Sequence, residues 1–262
     1  MDKPPANPTV PVIEMKAVSV GALRDQSVPV VEAINWTVTA GDYWVVAGLQ
    51  GSGKTDFLLM TAGLMAPAQG AYRLFGEQMP MFDEARLEER LRLGLVFDGG
   101  QLFNHLTVAE NVALPLRYHR NLSKAEAESE VRELVAALEL TPWADSTPGT
   151  VGRNWHKRAG LARALALKPE VLLLDSPLTG LDIRHANWWL SLLDQLSRGH
   201  PLLQGQPVTL VVAAADLRPW KGRACKFAVL KNKTFAVLGN WAELQTAGEE
   251  LTHELLAAER TE

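Results

Sequence analysis

The stretch of sequence that decides the fold is a glycine-rich run, Gly48-Leu49-Gln50-Gly51-Ser52-Gly53-Lys54-Thr55. It satisfies the pattern G-x-x-x-x-G-K-[ST] at every fixed position. Residues 43–47 before it (YWVVA) form a continuous apolar run, which is typical of a buried strand. Residues 55–64 after it have a helical pattern. This order of strand, loop and helix predicts a loop that binds the phosphates of a nucleoside triphosphate.

Each residue type in this loop has a physical role. Glycines let successive backbone N–H groups point at phosphate oxygens, and the helix that starts at the loop adds its positive dipole. Lys54 would place its charge on the β- and γ-phosphates, and the Thr55 hydroxyl would ligate Mg²⁺. The remaining alternative is a glycine-rich turn that matches by chance. We therefore expect ATP and Mg²⁺ as cofactors, with residues 48–56 as candidate contacts, Asp56 included.

A second strand end supports this interpretation. Residues 171–174 (VLLL) read as a buried strand, and Asp175 follows it directly. A carboxylate at such a position holds the Mg²⁺ water shell beside a phosphate loop. Many strands end in Asp, so Asp175 is weak evidence by itself. Together with the phosphate loop it is good evidence for a metal site. Thr55 and Asp175 are thus the candidate metal ligands.

The rest of the chain predicts an α/β fold. Short strand-like segments alternate with helical ones, at residues 15–20, 34–38, 71–75, 93–97 and 208–213. They indicate a P-loop NTPase core with a largely parallel sheet, an antiparallel β subdomain and an inserted helical subdomain. In the helical part, Ser123 and Glu126 form the capping-box pattern of a helix start.

We expect one domain over residues 1–262. Within it, we predict a loose start at residues 1–9, the helical insertion at about 80–160 and a helical tail at about 241–262.

Composition narrows the classes of partner. The chain has 26 Lys and Arg against 30 Asp and Glu, a net charge of −4, which argues against nucleic acid as a partner. Its one cysteine, Cys225, excludes an intrachain disulfide and fits a reducing compartment. We find no signal-peptide pattern and no apolar run long enough to cross a bilayer. A role at a membrane would therefore depend on a partner.

Three further stretches resemble the ATP-binding subunits of ABC transporters: residues 160–175 (GLARALALKPEVLLLD), 178–182 (LTGLD) and 106–112 (LTVAENV). The likeness covers about residues 10–238 and is nearest to the small importers and lipid-trafficking members. It implies a head that dimerises on ATP, with each ATP between one chain's phosphate loop and the other's signature sequence. The implied partners are a second ATP-binding subunit and an integral-membrane permease, and the implied location is the inner, cytoplasmic face of the cell membrane.

The chain departs from that family at its catalytic positions. The Q-loop glutamine falls on Asp98, the catalytic glutamate on Ser176 and the switch histidine on Ala215. A positioned general base contributes roughly 10²–10⁴ in rate, or about 3–5 kcal/mol of barrier, so fast hydrolysis by the usual route is not expected. We hypothesise that Asp98 activates the water in place of the lost glutamate. The alternative is drift in a pseudo-enzyme.

Binding positions also differ. The signature sequence falls on Val151-Gly152-Arg153-Asn154-Trp155, without its serine and paired glycines. Asp56 stands where the family has a hydroxyl against the α-phosphate, and no aromatic ring near residues 21–23 can stack on adenine. The signature and glutamate defects lie in one chain, so neither a homodimer nor a heterodimer restores a normal site.

Several tryptophans and arginines are expected to be structural. Trp36, Trp44 and Trp189 lie on apolar-patterned faces and predict core positions, whereas Trp155 in the signature position would face a partner. Arg158 and Arg163 follow on the same helix and would support that region.

Four functions remain open at this point. The first is an ABC transporter ATP-binding subunit with weak hydrolysis, and the second is a non-hydrolysing, ATP-gated regulatory or scaffold subunit. A soluble ABC-type protein usually has two heads or a coiled coil, and a P-loop kinase would need an acceptor site. The sequence carries no sign of either.

Overall fold

The computed structural model describes residues 11–79, 86–223 and 226–246. The strands in these ranges are β1 Ile13–Ala22, β2 Asp25–Val38, β3 Tyr43–Ala47, β4 Gln69–Leu74, β5 Glu77–Gln78, β6 Leu93–Val96, β7 Val171–Asp175, β8 Thr209–Ala214, β9 Lys226–Lys231 and β10 Thr234–Gly239. The helices are α1 Lys54–Thr61, α2 Leu87–Leu91, α3 Val108–His119, α4 Lys124–Ala137, α5 Arg153–Leu165, α6 Ile183–Arg198 and α7 Trp241–Thr246.

The described strands form two sheets. One is antiparallel, in the order β2-β1-β4-β5, and the other has six strands in the order β10-β9-β3-β8-β7-β6. In the second sheet the pairs from β9 to β6 are all parallel, and only β10 is antiparallel to its neighbour. The predicted α/β class, with a largely parallel core sheet and an antiparallel β part, is confirmed.

The central strands β3, β7 and β8 of the six-stranded sheet are buried on both faces, which explains their continuous apolar runs. Along β3, Val45 and Ala47 join a core shared with the helices α3 to α6, whereas Trp44 and Val46 join a second core. That second core also takes residues from α1 and from the antiparallel sheet. Because successive side chains of a strand point to opposite faces, the sheet separates the two cores.

Local sequence sets the ends of the helices. In α4, the Ser123 hydroxyl accepts from the Glu126 N–H and the Glu126 carboxylate accepts from the Ser123 N–H, as the capping-box pattern predicts. A second capping box, Thr107 with Glu110, begins α3. Helix α1 is shorter than the predicted 55–64, because the chain turns at Gly63, where φ is +71°.

The order of elements places α3, α4 and α5 between β6 and β7, where the helical insertion is expected. The boundaries of that insertion and of the single domain stay predictions. The predicted loose start at 1–9 lies outside the described residues, as does most of the predicted tail at 241–262, of which α7 is the described part. Within the described ranges, no helix combines the length and apolarity needed to cross a membrane.

Candidate nucleotide-binding site

The glycine-rich loop joins the carboxyl end of β3 to the start of α1. Gly51 and Gly53 have φ of +79° and +89°, a region that side chains disfavour. A Cβ at Gly48 would come within 2.4 Å of the Ser52 Oγ and 2.8 Å of the Leu230 carbonyl oxygen. Gly53, the N-cap of α1, has no side chain that could accept from the first N–H groups of the helix. The loop is therefore shaped to present backbone N–H groups to an anion.

Lys54 is buried inside this loop. Its Nζ donates to the Gly48 carbonyl at 2.6 Å and to the Leu49 carbonyl at 2.7 Å. Burial lowers the pKa of the Lys54 ammonium, and the negative charge of Asp175 partly offsets that effect. The ammonium thus lies in the bend of the loop, close to where bound phosphates would sit.

Thr55 and Asp175 meet although 120 positions separate them in the chain. The Thr55 Oγ1 donates to the Asp175 Oδ2 at 2.7 Å, and the Ser176 Oγ donates to the other oxygen, Oδ1, at 3.1 Å. The contact arises because β3 and β7 both pair in parallel with β8, which brings their carboxyl ends to one edge of the sheet. Hydroxyl and carboxylate oxygens are the donors that Mg²⁺ prefers, so this pair fits Mg²⁺.

The carboxylate of Asp56 is engaged by the turn between β1 and β2. Its Oδ1 accepts from the Leu23 N–H at 2.8 Å. The Asp56 carboxylate therefore serves as the acceptor for a backbone N–H of the β1–β2 turn, and one of its oxygens is directed toward that turn.

A cavity of about 620 Å³ opens beside the loop. The residues that line it are Val28, Pro29, Val30, Leu49, Gln50, Gly51, Ser52, Leu230, Lys231, Asn232 and Lys233. Its walls combine aliphatic side chains from β2 with a basic turn between β9 and β10, and none of these described lining residues is aromatic. A base seated here would pack on aliphatic groups rather than on a ring.

Asp98 lies after β6 and forms an ion pair with Lys157 on α5. The Lys157 Nζ lies 2.9 Å from the Asp98 Oδ1, and the same nitrogen donates to the Ser176 carbonyl at 3.0 Å and the Thr179 carbonyl at 2.8 Å. The Lys157 side chain is 6 % exposed, whereas that of Asp98 is 53 % exposed. Asp98 and Ser176, two of the positions at which the chain differs from the family's catalytic residues, therefore contact the same buried ammonium.

The third departure, Ala215, follows β8 directly. With Ser176 and Asp216 it lines a cavity of about 470 Å³ between the ends of β7 and β8. A glutamate at Ser176 and a histidine at Ala215 would both project near this space. The short side chains leave it open instead.

The signature position is occupied by a cluster of aromatic rings that contact one another at tilted and edge-on angles. Trp155 lies on the first turn of α5, with its ring centroid 5.9 Å from that of Trp143 and 5.8 Å from that of His185. The Arg158 guanidinium lies 4.6 Å from the Trp155 ring centroid and 3.6 Å from that of Trp188. Trp155 is half-buried within its own chain, and the expectation that it faces a partner stays a prediction.

The core positions predicted for three tryptophans are confirmed. Trp36, Trp44 and Trp189 are buried in the two cores. Arg158 pairs with Glu139, and Arg163 donates to the carbonyls of the Asp98 loop at Gly100 and Gln101.

Sequence reasoning missed Lys157. One signal could have found it: Lys157, Leu161 and Leu165 follow an i, i+4, i+8 spacing, and all three are buried on one face of α5. A lysine on the apolar face of a helix requires a partner, and the partner here comes from a distant loop.

Comparison with known proteins identifies the family. A model described as ABC transporter matches residues 31–179, more than half of the chain. The chain belongs to the ABC transporter family. The resemblance drawn from the motifs is confirmed, and the matched residues run from β2 through the phosphate loop to Thr179.

Curated ABC relatives include the spermidine/putrescine import ATP-binding protein PotA 1 of Pseudomonas aeruginosa, 36 % identical over 64 % of this chain and 47 % of that protein. The methionine import ATP-binding protein MetN of Lacticaseibacillus paracasei is 34 % identical over 67 % of this chain and 50 % of its own length. The chain thus spans about half the length of these two relatives.

Among solved structures, a dimeric ATP-binding cassette bound to ADP and Pi in a post-hydrolysis state has a TM-score of 0.74 and 25 % identity, covering 85 % of this chain and 95 % of the other. CbiO1 from Clostridium perfringens, described as part of an ABC transporter complex, has the same TM-score at 19 % identity, covering 94 % and 95 %, and shows the fold alone. The chain therefore contains an ABC ATP-binding domain.

Proposed function

We propose that this chain is the ATP-binding subunit of an ABC transporter and holds MgATP between the glycine-rich loop and Asp175. The observation that carries the proposal is the 2.7 Å contact between Thr55 and Asp175, beside the buried Lys54. Lys54 would exchange its carbonyl acceptors for phosphate oxygens, and the two oxygen donors would hold the metal. Mg²⁺, when bound, supplies charge neutralisation between the phosphates.

Hydrolysis in this proposal is slow and depends on Asp98. Ser176 offers no carboxylate, and its hydroxyl is already bonded to Asp175. The parallel pairing of β6 with β7 ends at Val96 and Leu174, and Asp98 and Ser176 lie on the loops that follow. The Lys157 Nζ lies 2.9 Å from the Asp98 Oδ1 and 3.0 Å from the Ser176 carbonyl oxygen, so the Asp98 carboxylate lies close to the place of the lost glutamate. This supports Asp98 as the candidate base.

The proposed partners follow from the family. Relatives are named as import ATP-binding proteins. We propose that this chain works with a second ATP-binding subunit and a membrane permease, on the cytoplasmic face of the membrane.

Equilibrium binding and turnover of the purified chain test the proposal. We expect MgATP binding that is lost on Lys54→Ala and reduced on Asp175→Asn, while Lys124→Ala, at a 79 % exposed side chain, leaves binding unchanged. Phosphate release should be slow and dependent on Lys54. Tight binding without any turnover would favour the non-hydrolysing regulatory subunit, and absence of MgATP binding would overturn the proposal.

A further inference from the structure

Lys157 joins three segments that are distant in sequence. Its Nζ lies within hydrogen-bond distance of the Asp98 Oδ1 at 2.9 Å, the Ser176 carbonyl oxygen at 3.0 Å and the Thr179 carbonyl oxygen at 2.8 Å. An ammonium group has three N–H donors, and these three acceptors use all of them. The position of the nitrogen is therefore fixed by the loop after β6 and the loop after β7 together.

The burial of this ammonium makes the arrangement demanding. The side chain is 6 % exposed, and a charge removed from water must be paired and fully hydrogen-bonded to be tolerated. Of the three acceptors only Asp98 is charged, so it is the group that neutralises Lys157. The ion pair also constrains Asp98, whose side chain is half-exposed. It holds one carboxylate oxygen, Oδ1, and thereby sets the orientation of the other oxygen.

Both ends of this link lie at the catalytic edge of the sheet. Ser176 follows Asp175, whose Oδ2 accepts from the Thr55 hydroxyl, and Asp98 lies on the loop after β6, the strand that pairs with β7. Helix α5 begins in the signature stretch, so Lys157 connects that stretch to the loop that carries the candidate base. An ion pair that only stabilised the fold would not need to lie between the signature stretch and the candidate base.

We propose that Lys157 is a positioning residue for the reaction: it orients the Asp98 carboxylate and holds the backbone of Ser176 and Thr179 at the γ-phosphate end of the site. This inference rests on the proposed function. Lys157 acts through Asp98 and contacts neither the nucleotide nor the metal. Its loss should therefore lower the rate of the chemical step and leave nucleotide binding nearly unchanged.

The test compares Lys157→Gln with Asp98→Asn and the double variant. For each single variant we expect kcat to fall at least tenfold with KM changed less than threefold, and the double variant to be no slower than the slower single. Such non-additivity is the mark of two residues that act as one unit. Lys124→Gln is the matched control, because the Lys124 side chain is exposed and its ion pair, with Glu110 at 3.6 Å, lies on the helices α3 and α4. Unchanged kcat in Lys157→Gln, or effects that multiply in the double variant, would overturn the proposal.

A variant at the exposed end of the pair covers the case in which Lys157→Gln fails to fold. Asp98→Glu keeps the basic group and moves it by one methylene, so the orientation set by Lys157 is lost. We expect a kcat at least fivefold lower, with the MgATP Kd unchanged. Wild-type kcat in Asp98→Glu would contradict a positioning role. A wild-type chain that binds MgATP but shows no Lys54-dependent turnover would also overturn it, while the binding function would stand.

Discussion

Asp56 offers a prediction in which affinity and stability move in opposite directions. Asp56→Asn keeps a side-chain oxygen to accept from the Leu23 N–H, a bond of 2.8 Å in the wild type, and removes only the charge. The residue lies in the first turn of α1, two positions beyond Lys54. The substitution therefore changes the electrostatics of the phosphate site with little change in shape.

The magnitude follows from the geometry. Asp56 lies two residues beyond Lys54, a rise of about 3 Å along the helix, and with the lengths of the side chain and of the phosphate contact added we take its carboxylate to lie on the order of 7 Å from a bound phosphate. Two charges at that separation interact by about 2 kcal/mol at an effective dielectric constant of about 20, and physiological salt reduces this to about 1 kcal/mol. Removing the repulsion should tighten MgATP binding about fivefold. The lost interaction with the positive helix end should lower the free energy of unfolding by about 0.5 kcal/mol.

The assay is calorimetric titration of MgATP at two salt concentrations, with chemical denaturation of the unliganded chain. The gain in affinity should shrink as salt rises, because the effect is Coulombic. Asp145→Asn, an exposed residue between α4 and α5, carries the same change in net charge and should alter neither quantity. Unchanged or weaker MgATP affinity in Asp56→Asn would refute the reasoning.

Two further predictions concern catalysis and pH. Ser176→Glu restores a carboxylate beside Asp175, and we expect phosphate release to rise at least tenfold, whereas Ser191→Glu on the exposed face of α6 should have no effect. Burial lowers the pKa of His200, whose Nδ1 accepts from the Leu202 N–H, so the unfolded chain binds its proton more readily than the folded chain. Stability should therefore fall as the pH drops from about 6.5 through the lower folded-state pKa. His200→Asn, whose side-chain oxygen can accept from the Leu202 N–H in place of Nδ1, should flatten that part of a urea-denaturation pH profile.

The parts of the fold that the sequence predicts are those with local causes. The run at residues 43–47 and the loop after it are read from neighbouring residues, and the structure places β3 and α1 there. The capping box at Ser123 is equally local. The juxtaposition of Thr55 and Asp175 was also foreseeable, because parallel strands bring their carboxyl ends to one edge.

Other features depend on contacts that no local pattern records. The Leu23 N–H reaches Asp56 across 33 positions, and Lys157 reaches Ser176 across 19 positions and Asp98 from a different loop. Composition marks these residues as charged, which ordinarily predicts an exposed face. The spacing of Lys157 with Leu161 and Leu165 could have indicated that it is buried, but only the folded arrangement shows which groups it pairs with. The roles of the candidate site residues remain predictions that the experiments above address.

The two carbonyl acceptors of Lys54 have a consequence for how nucleotide affinity is built. In the unliganded chain the Lys54 Nζ already donates hydrogen bonds to the Gly48 carbonyl oxygen at 2.6 Å and to the Leu49 carbonyl oxygen at 2.7 Å. Nucleotide capture then exchanges these bonds for bonds to phosphate, so the gain from Lys54 is a difference between two good hydrogen-bonding states. The Lys54 side chain also holds the unliganded loop in one shape, so the loop has little conformational entropy left to lose when the nucleotide binds. The lysine would therefore contribute to recognition by keeping an empty site ordered as well as by attracting the phosphates.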